Sequence, residues 1–245
     1  MIITKVVPGL LIATPDQESF VESAVQRIGK AMRDALMKND RIAIALSGGE
    51  TPRPVYRALS SEVLAWSRVD IHIVDERAVP KDDKRSNYGM IREEPLEPTK
   101  VTSVFPLEAW KPNLEEAAKE AEATIRKKVR TGPGNVPIFD VVVLGIGDDG
   151  HTASLFPNEP TVHDEARLVL AVPAKAAREA RLSLARTVLE NADNIIVLAT
   201  GAKKQGAIER VWEVTGDLSA TPARILRNAR GGITWVIDRA AGGLG

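Results

Sequence analysis

The chain has 245 residues, 44% of them hydrophobic, enough to bury the core of one large α/β domain or two small ones. Lys+Arg and Asp+Glu both number 33, so the formal net charge is zero and no global field attracts nucleic acid or an anionic membrane; an anion must be held by a local pocket. The absence of cysteine excludes a disulfide framework, a thiolate zinc site and a cysteine nucleophile.

Met1–Leu11 carries one Lys and an early Pro8, and lacks the basic start, apolar stretch and cleavage site of a secretory signal. No apolar run approaches the roughly 18 residues of a membrane helix, so a cytoplasmic protein is expected. Ser19–Met37 places Phe20, Ala24, Ile28, Ala31 and Ala35 at helical spacings. Strands follow at Ile42–Leu46 and Val69–Val74. Leu114–Val129 is a helix rich in Ala, Glu and Lys, with Glu115 and Lys119 one turn apart. Beyond it the pattern predicts strands at Phe139–Leu144 and Arg167–Val172, a helix at Arg178–Leu189, a strand at Asn194–Ala199, a helix at Lys203–Val211 and a strand at Ile233–Ile237. Val141-Val142-Val143-Leu144 and Ile195-Ile196-Val197-Leu198 lack polar alternation, as strands covered on both faces do. This alternation predicts an α/β fold, a mainly parallel, Rossmann-like sheet flanked by helices. The charged loop Lys81–Arg85 and the Pro/Gly-rich connection Thr131–Pro137 are too short for domain linkers, so a single domain over 1–245 is expected.

In such a sheet, ligands gather at the carboxyl ends of the strands. Ser47-Gly48-Gly49-Glu50-Thr51-Pro52 follows the Ile42–Leu46 strand. Its glycines let backbone N–H groups approach a ligand, Thr51 is suited to cap the next helix and Pro52 to its first turn. The same residues suit an ordinary strand-to-helix turn, and no Gly-Lys-Ser/Thr follows to make a Walker loop. Asp75-Glu76-Arg77, with Ser86-Asn87-Tyr88 beyond, exposes charge where the sheet opens, or forms a surface ion-pair cluster. Thr200-Gly201-Ala202-Lys203-Lys204 sets cations beside a helix start, which suits phosphate or simply solvent.

Gly145-Ile146-Gly147-Asp148-Asp149-Gly150-His151-Thr152-Ala153-Ser154-Leu155-Phe156-Pro157 is the richest segment. Its glycines have dinucleotide-loop spacing, but Asp148 and Asp149 stand where a pyrophosphate needs neutral donors, and no ribose-binding carboxylate ends the next strand. His151, two residues after Asp149, fits a general base near neutral pH, or a structural loop histidine. His72, in mid-strand, and His163, in a polar loop, read as structural.

Together these segments resemble the 6-phosphogluconolactonase family, which shares its fold with glucosamine-6-phosphate deaminase. The resemblance extends to Pro222-Ala223 and Trp235–Ala241, covering nearly the whole chain. It implies hydrolysis of a phosphorylated δ-lactone to 6-phosphogluconate in the oxidative pentose phosphate pathway, with no cofactor, no metal and no obligate protein partner. His151 then activates water, with Asp149 orienting it. Arg77 and the Gly48/Gly49 backbone face the developing oxyanion, while Lys204 and Arg181 hold the phosphate with Ser47, Thr51 and the helix termini near the substrate. Asp75 and Glu76 are supporting residues that hold Arg77 in place. The family's usual Lys-Pro-Pro is here Lys175-Ala176-Ala177, which affects the 173–181 loop, and Glu50 replaces a small hydroxyl residue and is expected to point outward. Deaminases place an Asn-Glu-Pro triplet almost directly after the Asp-Gly-His block; here Ser154-Leu155-Phe156-Pro157 intervenes before Asn158-Glu159-Pro160. An isomerase or deaminase using Asp75 as base, and a non-catalytic sugar-phosphate-binding regulator, are the alternatives.

Overall fold

The computed structural model describes residues 5–99, 101–176 and 178–244. Its main sheet grows from short apolar runs: β2 (Ile42–Leu46), β6 (Val141–Gly145) and β9 (Asn194–Ala199) are almost wholly buried. They lie at the centre, with β3 (Val69–Ile73), β5 (Val104–Phe105), β10 (Gly232–Asp238) and β1 (Leu10–Thr14) outside them. The order is β1-β10-β9-β6-β2-β3-β5, seven strands with every neighbouring pair parallel. All seven therefore deliver their carboxyl ends, and the loops that follow, to one edge.

A long helix, α1 (Gln17–Leu36), packs across the sheet through Phe20, Ala24, Ile28 and Met32, all fully buried. Its start is fixed by Asp16, whose side chain accepts from Ser19 N at 2.8 Å. Between β2 and β5 run α2 (Arg53–Leu59), β4 (Asp75–Arg77), α3 (Asn87–Ile91), a π-helical turn at Arg92–Leu96 and α4 (Glu97–Thr99). Next comes α5 (Leu114–Lys128), capped by Asn113, with Glu115 and Glu116 in its first turn and Arg126, Lys127 and Lys128 in its last, the charge order its dipole favours. It packs on β7 (Val169–Val172) and β8 (Arg181–Leu184), which with β4 make a three-stranded antiparallel sheet in the order β4-β8-β7. The remaining helices are α6 (Arg186–Glu190), α7 (Gln205–Trp212) and α8 (Arg239–Gly242). No helix among the described residues is long and apolar enough to cross a membrane.

The α/β architecture follows the sequence expectation, with one clear correction. The helix expected over Arg178–Leu189 is instead β8 followed by the short α6. Arg181–Leu184 is the middle strand of the antiparallel sheet, and hydrogen-bonded ladders on both sides outweigh the good helix propensity of its Arg and Leu residues. Ala177, in the segment that departs from the Lys-Pro-Pro pattern, and residues 1–4 of the amino terminus lie outside the described residues. The helix expected from Lys203 is a 3₁₀ turn, Ala202–Lys204, running into α7.

Candidate active site

Loops from β2, β4, β6 and β9 meet at the carboxyl edge around a cleft of about 350 Å³. Ser47, Gly48, Gly49 and Thr51 line it from the first loop, Asp75 and Arg77 from β4, Arg181 from β8, His151 from the third loop and Lys204 from the fourth. The structure thus brings together nine residues singled out from the sequence and leaves Asp149 and Glu76 behind them.

His151 owes its position to the glycine turn. Gly147 N donates to His151 O at 2.8 Å and Gly150 turns at φ +97°. A Cβ on Gly147 would stand 2.1 Å from His151 Nδ1 and 2.6 Å from Asp149 Oδ1, so only glycine fits there. Asp149 Oδ1 accepts from His151 N at 3.0 Å and lies 2.7 Å from Nδ1. Burial opposes the charge on Asp149, but the hydrogen bonds from His151 outweigh it and bring its pKa down to about 2. An ionised carboxylate only accepts, so the imidazole proton belongs on Nδ1 and the lone pair on Nε2. Among the described residues no protein group bonds Nε2. The Phe156 ring stands 4.8 Å from the imidazole, and Arg210 Nη2 donates to Asp149 O at 3.2 Å.

Arg77 and Arg181 are register partners across β4 and β8, side by side at the cleft. Asp75 faces Arg181, with Oδ2 at 3.4 Å from Nη1, and also accepts from Ser154 Oγ at 2.6 Å. It therefore supports Arg181 rather than Arg77, whose Nη1 donates to Arg85 O at 2.6 Å. Burial lowers the Arg181 pKa from the ordinary arginine value, Asp75 works against that, and the like charge of Arg77 adds to it. The Nε atoms of both arginines are buried without a hydrogen-bond partner among the described residues. Two guanidinium groups side by side make this wall of the cleft favourable to a negatively charged ligand. Glu76 does not reach the cleft. Its carboxylate accepts from the backbone N of Arg77, Asn87 and Tyr88 at 2.7–2.8 Å and from Ser86 Oγ at 3.1 Å, so it shapes the turn beyond β4.

Thr51 is not a helix cap. Pro52 holds the N-cap position of α2 without a side-chain bond, and Thr51 Oγ1 instead lies 3.2 Å from Thr200 Oγ1, joining the loops after β2 and β9. Gly48 faces Asn87, where a Cβ would be 1.9 Å from Oδ1. The Glu50 side chain is 93% exposed and lies 3.8 Å from Arg53 Nε, yet the residue still belongs to the cleft lining, so its charge is not removed from the site as expected. Lys204 Nζ is 2.5 Å from Asp148 Oδ1, a partner that sequence spacing gave no signal for. Away from the cleft, buried Glu159 is paired with Arg178 at 2.8 Å and Lys175 at 3.7 Å. His163 Nε2 meets Ser219 Oγ at 2.7 Å. His72 is buried beside Phe105, and burial lowers its pKa to about 4.

An open parallel sheet with a His–Asp pair and three cations at its carboxyl edge defines an α/β protein built to hold an anion beside a general base. The model of the glucosamine-6-phosphate isomerase/6-phosphogluconolactonase family matches residues 15–235, and the chain belongs to that family. It is 30% identical over 229 residues to a 6-phosphogluconolactonase of Synechocystis, covering 93% of this chain and 94% of that one. It is also 30% identical to the Rattus norvegicus 6-phosphogluconolactonase over 243 residues, 96% of this chain and 93% of the other. The crystal structure of 6-phosphogluconolactonase from Leishmania guyanensis superposes with a TM-score of 0.85 at 27% identity, covering 96% and 98% of the two chains.

Proposed function

We propose that this protein hydrolyses 6-phospho-D-glucono-1,5-lactone to 6-phospho-D-gluconate, the hydrolytic step of the oxidative pentose phosphate pathway, as a single cytoplasmic domain without metal or nucleotide. The reading is carried by the 2.7 Å contact between Asp149 and His151, which leaves Nε2 free at a cleft lined by Arg77, Arg181 and Lys204. Nε2 takes a proton from water as its oxygen attacks C1 of the lactone. Arg77 and the Gly48/Gly49 backbone stabilise the oxyanion that forms at the carbonyl. When the intermediate collapses, the bond between C1 and the ring oxygen breaks and the imidazolium returns its proton to that oxygen. The products are an alcohol and a carboxylic acid, which ionises. Lys204 and Arg181 hold the 6-phosphate, and this remote binding orients the ring.

The position of Glu159, paired with Arg178 outside the cleft-lining residues, favours lactone hydrolysis over deamination. The oriented histidine favours an enzyme over a passive sugar-phosphate binder. Kinetics on two lactones test the reading. Lys204→Ala should lower kcat/KM for the phosphorylated lactone by about 10- to 150-fold, the equivalent of one charge-assisted hydrogen bond, and leave plain gluconolactone nearly unaffected. His151→Ala should depress both alike. Equal losses on both lactones for Lys204→Ala would remove Lys204 from the phosphate site.

A further inference from the structure

Two adjacent acids in the glycine turn have opposite partners. Asp149 turns to His151, whereas Asp148 reaches across to Lys204, with Oδ1 at 2.5 Å from Nζ. Among the described residues, each member of this second pair has the other as its only ion-pair partner. Lys204 is three-quarters buried at the side chain, at 26% exposure, and lines the cleft, while Asp148 is half exposed at 53% and does not line it. The ammonium has three donors on a flexible stem, so the competition is for where Nζ stands, drawn back to Asp148 outside the cleft lining or turned to an anion inside it.

We propose that Asp148 is an internal counter-ion that competes with the phosphate group for Lys204 and so limits how tightly phosphorylated ligands are held. This rests on Lys204 reading the phosphate. Substrate and product of the proposed reaction carry the same phosphate, so a phosphate site of unopposed cations would retain the product as well as it captures the substrate. Asp148 lowers the affinity for both and returns to Lys204 as the product leaves. A carboxylate whose only task was to position Lys204 would do the reverse, since its removal would loosen the lysine and weaken binding.

Inhibition constants for 6-phosphogluconate and for inorganic phosphate decide between these, measured on wild type, Asp148→Asn, Lys204→Ala and the double variant. Asp148→Asn should tighten both inhibitors by roughly 2- to 5-fold, the upper range of one partly exposed ion pair. Most of that gain should vanish in the Lys204→Ala background, because the two residues act through one contact. Unchanged or weaker inhibition of Asp148→Asn, with Lys204→Ala still impaired, overturns the counter-ion and leaves the phosphate assignment standing. An equal gain with and without Lys204 reduces Asp148 to a general repulsive charge and overturns the proposal. Wild-type inhibition of Lys204→Ala overturns the phosphate assignment itself, and the counter-ion with it.

Discussion

The imidazole of His151 and the carboxylate of Asp149 divide their tasks by charge. Asp149, with its pKa brought down to about 2, is ionised at neutral pH and acts there as an acceptor. His151→Ala should therefore reduce kcat by about 10²–10⁴-fold with an unchanged far-ultraviolet spectrum, and near wild-type turnover would remove it as the base. Asp149→Asn should also cost about 10²-fold or more, because an amide can donate to Nδ1 and stabilise the tautomer with its proton on Nε2. Steady-state kinetics with fresh lactone and a no-enzyme blank measure both. The sequence set Asp149 beside His151 in one glycine turn, where the contact is found, but it did not show that Asp148 turns the other way, to Lys204. The direction a carboxylate takes within such a turn is set by backbone dihedrals that adjacency does not encode.

Among the elements, the expected bounds of β2 and β9 agree with the structure to the residue, because each is an apolar run closed by turn residues. β4 was read only as a charged strand end, because Asp75-Glu76-Arg77 has no apolar pattern; its pairing with β8 makes it a strand. In the third loop, Gly147→Ala should displace the His–Asp pair and reduce turnover about as far as His151→Ala, since the added Cβ collides with both partners. Wild-type kinetics of that variant would show that the turn relaxes freely. In β3, His72 gives a pH dependence of stability whose sign is fixed. Its pKa in the folded state is about 4 against an ordinary 6.5, so folding disfavours the proton. Stability is full above pH 6.5 and declines as pH falls towards 4, by at most about 3 kcal/mol. His72→Leu should flatten that limb of the urea-denaturation midpoint against pH, and an unaltered limb would assign the acid sensitivity to other groups.

At the scale of the whole molecule, parallel strands gather residues as distant as Ser47 and Lys204 on one edge, and this much was legible from the alternation of strands and helices. The strand order was not, because register and neighbour depend on packing between segments far apart in sequence. The three histidines belong to separate surroundings, His72 among aromatic rings, His151 on Asp149 and His163 on Ser219. Activity should accordingly survive EDTA followed by desalting; loss that a divalent ion restores would overturn the metal-free reading. The edge strand β1 has a different consequence, one of timing. Among the described residues its only strand partner is β10, with Leu10 opposite Thr234 and Thr14 opposite Asp238. At about 5–20 residues per second of synthesis, roughly 10–45 s separate the appearance of the two. Leu10–Thr14 is thus made early and paired late, and a newly made chain carries an unpaired strand for most of its time on the ribosome.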